Sequence, residues 1–348
     1  MMEVDKLDSY QTIISYLKKK SDRERHLLLG NGFSMAYDPK IFSYNALSTF
    51  VESSSDEFLK KLFSVLKTKN FELIMDYLDN FCEIAKVFSE DKTLVAKIEN
   101  ANENLKSSLI EAVKSLHPEH VFSISDEKSR KCFKFLEDYL SNNGNIFSTN
   151  YDLLLYWVLL RNESKFHIDG FGRELENPNF MKLHEEPEFG DLIWGVHKDK
   201  QNVHYNHGAL QLFDTGIEII KEVYDSNNLL ENISNRMDKK EYPIFVTAGN
   251  ANEKLNHIMH NKYLSTCYDN LSNISGSLVT FGFSFSDNDT HIISAINKAC
   301  KFNPDKGTKL LSIYIGVFSD DSLAHLKKIE KDFACKVNYY NARTANIW

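Results

Sequence analysis

Apolar positions along the chain fall into two kinds of run. Spaced at helical intervals, Leu7, Ile13, Ile14 and Leu17 predict a helix over 5–19. Short apolar-rich runs predict strands at 26–29, 146–148, 243–247, 277–281 and 310–318, and a last strand is expected over 336–340. From about Ala46 to Leu140 the spacing is helical almost throughout, with segments such as 58–66 and 105–113 and no proline before Pro118. The run Leu153 to Leu160 is apolar nearly all round, which predicts a helix buried between layers. A last helix is expected over 322–333.

Strands alternating with helices predict an α/β protein. The expected core is a Rossmann-like parallel sheet of about six strands covered by helices, with a large all-helical insertion. The division is 1–45 for the first strand–turn unit, 46–142 for the helical insertion and 143–348 for the remainder of the sheet domain. Residues 165–208 are rich in Gly, His, Asn and Pro and read as a loop-rich substrate region with short strand-like pieces such as 192–196.

Composition narrows the class. A chain of 348 residues with 42% hydrophobic and 26% charged residues is ordinary for a globular protein. A net charge of −8 argues against a broad nucleic-acid-binding face. No apolar run approaches the roughly 20 residues needed to span a bilayer, so no membrane partner is expected. The N-terminus begins acidic and amphipathic rather than as a secretory signal. Cys82, Cys132, Cys267, Cys300 and Cys335 are dispersed, which disfavours disulfides and cysteine zinc sites and fits a reducing cytoplasm.

Candidate chemistry sits where predicted strands end. Gly30-Asn31-Gly32-Phe33-Ser34 follows the first strand, Thr149-Asn150-Tyr151-Asp152 the second, and Gly282-Phe283-Ser284-Phe285-Ser286 the strand over 277–281. His207-Gly208 lies between the last two. Glycines and small polar residues after a buried strand let backbone amides approach phosphate or ribose. Each motif also reads as a capped turn: Ser34, Asn150, Asp152 and Asp287 are all residues that cap helices. The third glycine of the dinucleotide fingerprint is missing, since Met35 stands near its place. His184, His197 and His204 are read as loop histidines. The spacing of His197, His204 and His207 lacks an Asp, Glu or Cys at a familiar metal spacing, so no metal is expected.

In this order the motifs resemble the sirtuin superfamily, in which such turns and a His-Gly pair build an NAD site. The wording Gly-Asn-Gly-Phe-Ser, Thr-Asn-Tyr-Asp and Gly-Phe-Ser-Phe-Ser-Asp looks closest to a bacterial sirtuin-like branch of NAD-consuming antiphage-defence effectors. The paired Cys-x-x-Cys zinc module of deacylating sirtuins is missing, which argues against protein deacylation. The resemblance implies an NAD hydrolase releasing nicotinamide and ADP-ribose, with NAD as substrate and no metal. Asn150, Asp152 and His207 become the expected catalytic residues: Asn150 to position ribose or water, Asp152 to orient that segment or contact the ribose or carboxamide, and His207 as base toward a ribose hydroxyl or water. Gly30, Asn31, Gly32, Phe33, Ser34 and Thr149 would bind NAD on the pyrophosphate and ribose side, and Gly282, Ser284 and Ser286 on the adenosine side. A restrained homo-oligomer is expected, with a partner protein or phage-derived trigger and the helical insertion as its contact region. Two other readings stay open: a non-catalytic NAD or ADP-ribose sensor, and an NAD-dependent protein deacylase or ADP-ribosyltransferase.

Overall fold

A computed structural model describes residues 3–20, 23–39, 57–66, 71–88, 92–118, 120–173, 191–223, 228–239, 241–246, 250–303 and 307–348. His184 lies outside them. Twelve strands are present among these residues: β1 (Asp8–Ser9), β2 (Arg25–Leu29), β3 (Ile146–Ser148), β4 (Phe171–Gly172), β5 (Leu192–Trp194), β6 (Val203–Tyr205), β7 (Gly208–Asp214), β8 (Ile219–Lys221), β9 (Pro243–Phe245), β10 (Gly276–Phe281), β11 (Leu310–Val317) and β12 (Lys336–Asn341). Seven of them form one parallel sheet in the order β1-β12-β11-β10-β2-β3-β6, and the α/β, Rossmann-like class follows from it.

The middle strands explain the sheet. All five residues of β2 and all six of β10 are buried, as expected where helices cover both faces. The chain leaves β2 toward β3 and β6 on one side, and leaves β10 toward β11 and β12 on the other. The switch point therefore lies between β2 and β10, where open α/β sheets place their ligand crevice.

Two strand assignments are corrected. The apolar run at 243–247 does not join the parallel sheet; its strand β9 pairs antiparallel with β7. The outer place is taken by β6, whose Val203-His204-Tyr205 is too polar to read as a buried strand. With β7 and β9, strands β4, β5 and β8 complete a second, five-stranded antiparallel sheet in the order β4-β5-β8-β7-β9. Within the segment read as loop-rich, the described strands are the short β4, β5 and β6 and the start of β7; β9 was misplaced because an apolar run shows burial and not the direction of its partner.

Twelve α-helices accompany the sheets among the described residues. They are α1 (Tyr10–Lys18), α2 (Asn31–Tyr37), α3 (Glu57–Leu66), α4 (Phe71–Phe88), α5 (Lys92–Leu116), α6 (Asp126–Leu140), α7 (Leu154–Arg161), α8 (Leu229–Asp238), α9 (Ala251–His260), α10 (Lys262–Leu271), α11 (Thr290–Ala299) and α12 (Asp320–Ile329). Leu154 through Leu159 of α7 are all buried. Helices α4 and α5 enclose their own apolar cluster, including Ile74, Leu78, Ile98 and Leu105, and Leu62 and Leu66 of α3 pack against it. By contrast α6 contributes Cys132, Phe135, Leu136 and Tyr139 to the main core, so the separately packed helices end before it. No described helix is long and apolar enough to cross a membrane.

Candidate functional site

The sheet aligns the four motifs. Phe281 pairs in register with Leu29, Leu29 with Ser148, and Ser148 with Tyr205. These are the last residues of β10, β2, β3 and β6, and all four strands run the same way. Each motif therefore leaves the same edge of the sheet from one row. Hydrogen bonds tie the exits together: Thr149 N–H donates to Leu29 O (3.0 Å), Asn206 N–H to Ser148 O (2.8 Å) and Leu210 N–H to Tyr151 O (2.9 Å).

The glycines serve the contact between turns. Gly30 N–H donates to Phe281 O (3.0 Å) and Gly32 N–H to Gly282 O (2.9 Å), so these two amides are committed to backbone rather than facing a pyrophosphate. A Cβ on Gly32 would lie 2.5 Å from Gly282 Cα, and one on Gly30 2.6 Å from Gly282 O. Gly282 itself has φ +70°, the left-handed region that glycine adopts freely. Gly208, at φ +83°, sits where a Cβ would strike Ile244 O, so the His-Gly pair needs its glycine for the passage of β9.

Between the first and second motifs lies a closed polar cluster. Ser34 Oγ donates to Asp152 Oδ2 (2.5 Å) and accepts from Asn150 Nδ2 (2.9 Å). Asp152 Oδ1 accepts from Leu154 N–H (2.9 Å), the first amide of α7, from one position before the N-cap residue Leu153. All three side chains are buried. Burial raises the Asp152 carboxyl above its ordinary pKa, and the bonds from Ser34 and Leu154 oppose that rise. The next amide, Leu153 N–H, donates to His117 Nε2 (3.0 Å). His117 comes from just beyond the end of α5, so the separately packed helices touch this segment directly. Burial depresses His117 to about 4, partly offset by its bond to the Pro118 carbonyl.

His207 is buried at the end of β6 and meets a residue the sequence did not assign. Its Nε2 lies 2.9 Å from His291 Nε2 on α11. Burial holds His207 well below the ordinary histidine pKa, with His291 and Lys254 adding to the effect. Its other ring nitrogen makes no hydrogen bond among the described residues. Ligating atoms of His207, Asp289 and His291 all fall within 4.8 Å of one another. Asp289 accepts from Ser286 Oγ (2.6 Å) and pairs with Lys254 Nζ (3.3 Å). Asn206, next to His207, is buried with neither carboxamide atom hydrogen-bonded among the described residues.

The remaining expected residues divide. Asn31 and Ser284 are exposed at the edge. Phe33 packs its ring 5.0 Å from Trp348, whose Nε1–H donates to Phe33 O. Ser286 is held by Asp289, and Thr149 Oγ1 bonds Leu29 O (3.2 Å). His204 stacks on buried Phe147 and is pressed to about 3 by burial, so it is a core histidine. Asn150 and His207 leave neighbouring strands, and no hydrogen bond links their side chains. The sequence reading gave no role to Lys254, Asp289, His291 or His117. The signal for two of them was present as Asp-x-His at 289–291, within the helix start after the third motif.

No curated protein matches the sequence. A family model described as a domain of unknown function, DUF4917, matches residues 27–348 and so takes in all four motifs; the chain belongs to that family.

Proposed function

We propose that this edge of the parallel sheet binds NAD and hydrolyses its nicotinamide–ribose bond. The observation that carries the reading is the row Phe281, Leu29, Ser148 and Tyr205, which sends all four motifs out of one edge beside the switch point. The orphaned carboxamide of Asn206 supports a polar ligand there, since buried polar groups are otherwise paired.

The chemistry asks little of the protein beyond placement and charge. Water oxygen bonds to the anomeric carbon as the C–N bond breaks, and the bonding pair leaves with nicotinamide, which departs neutral. The transition state resembles an oxocarbenium ion. Asn150, fixed by Ser34, positions the ribose or the water. Asp152 holds Ser34 and supplies negative charge near the ribose. His207 takes the water proton on the ring nitrogen left open by His291. With Gly30 and Gly32 amides committed to Phe281 and Gly282, the phosphates are assigned to the exposed rim, Asn31 and Ser284.

A second reading is a sensor that binds NAD or ADP-ribose without turnover. It is favoured by one fact: Ser34, Asn150 and Asp152 bond one another, which a purely structural cluster would also do. The wider assignment, a restrained cytoplasmic effector of antiphage defence that acts as an oligomer, rests on the sirtuin-like motifs. The test uses chelator-stripped protein with NAD, following nicotinamide release and NAD binding. Release that Asn150→Ala abolishes supports hydrolysis. Binding without release supports the sensor. Neither binding nor release overturns both.

A further inference from the structure

We infer that His207, His291 and Asp289 form a binding site for a zinc-class divalent metal ion. This goes beyond the hydrolysis reading and needs no NAD for its test.

Three observations support it. First, the donors are of the right chemistry: two imidazoles and a carboxylate are a common three-ligand set for zinc, leaving a fourth position open. Second, they already converge, with all ligating atoms within 4.8 Å of one another. Third, the two Nε2 atoms face each other at 2.9 Å. Zinc–nitrogen bonds of about 2.0–2.1 Å at tetrahedral angles need a separation of about 3.3 Å, so the pair has to open only slightly.

The surroundings fix the ligands. β6 ends at Tyr205 and places His207, while His291 and Asp289 sit at the start of α11. Ser286 Oγ–H orients the Asp289 carboxylate at 2.6 Å, the kind of outer partner that ligating carboxylates carry. Lys254 Nζ, 3.3 Å from Asp289 Oδ1, balances the carboxylate charge in the metal-free protein. It also competes with the ion, because both need Asp289. A metal on Nε2 leaves the His207 proton on Nδ1, so the metal-bound protein has no proton acceptor at this position.

The experiment is a titration of zinc(II) alone into chelator-stripped full-length protein, in competition with a chromogenic chelator. One equivalent is expected to bind. Asp289→Asn and His291→Ala are expected to weaken binding at least about 10-fold. Lys254→Gln is expected to tighten it, since the competing cation is gone. This opposite sign guards against general unfolding, which would weaken every variant; thermal melts followed by circular dichroism check each fold. Cobalt(II) in place of zinc is expected to give the visible bands of a tetrahedral site, lost in Asp289→Asn. Failure to bind one equivalent, or binding indifferent to Asp289→Asn and Lys254→Gln, overturns the inference.

Discussion

Ser34 is where the first and second motifs meet, and two substitutions separate structure from chemistry there. Ser34→Ala removes the donor to a buried carboxylate and the acceptor of the Asn150 amide. The expected cost is about 1–3 kcal/mol of folding stability, read by denaturant unfolding. Asn150→Ala leaves Ser34 bonded to Asp152 and is expected to cost only about 1 kcal/mol. If hydrolysis is the function, nicotinamide release falls about 10²-fold in that variant. Full turnover in a folded Asn150→Ala protein would remove Asn150 from the mechanism. Gly32→Ala is a different case. Its new Cβ lies 2.5 Å from Gly282 Cα, backbone against backbone, so the two turns must part. A loss of about 1–3 kcal/mol is expected, with a lowered melting temperature. The sequence named these glycines for phosphate approach. Their necessity was legible, but its cause was not, since the partner that excludes a side chain lies in another motif.

Among elements, legibility followed burial on both faces. β2 and β10 carry the apolar stretches Leu27-Leu28-Leu29 and Leu278-Val279 because helices cover them on either side, and these stretches announce the strands. β6 carries His204 in its centre and stays hidden, since a stacked, buried imidazole looks polar in a sequence. β9 looks like any other buried strand, and nothing in Pro243-Ile244-Phe245 tells which sheet accepts it. The site shows the same limit. Ser34 and Asp152 are 118 residues apart and His207 and His291 are 84, distances at which spacing carries no signal. The link from α5 to α7 through His117 yields a pH prediction. His117 is buried with its pKa lowered to about 4, against about 6.5 unfolded. Between those values the unfolded chain binds more protons, so stability rises with pH across that window. The contribution is complete above about 6.5 and lost as pH falls through 4, on the order of 3 kcal/mol in all. His117→Gln, which does not titrate, is expected to flatten that part of the stability–pH curve measured by denaturant unfolding. An unchanged slope would show that other groups govern acid sensitivity.

At the scale of the molecule, the apolar interior is divided. The main core runs from Val4 to Ile347 and includes both sheets, whereas Ile74, Leu78, Cys82, Ala85, Ile98, Ala101 and Leu105 form a cluster of their own. Elements that share no apolar core open separately when their local free energies differ. The helices α3–α5 are therefore expected to exchange amide hydrogens as one unit and the parallel sheet as another, slower one. Leu105, fully buried in the small cluster, provides the perturbation. Leu105→Ala is expected to cost about 2–5 kcal/mol of local stability and to speed exchange in α3–α5 while leaving the parallel sheet slow. Leu278→Ala, fully buried in β10, is expected to speed exchange throughout the sheet. His117, just beyond α5, joins the helices to the motif-bearing edge, its ring holding the Leu153 amide beside Asp152. If the helices are where a partner acts, Leu105→Ala should also quicken exchange at Leu153, because that amide loses its acceptor whenever the end of α5 opens. Leu153 exchanging at an unaltered rate in the Leu105→Ala protein would mean that the helices and the motif-bearing edge are uncoupled.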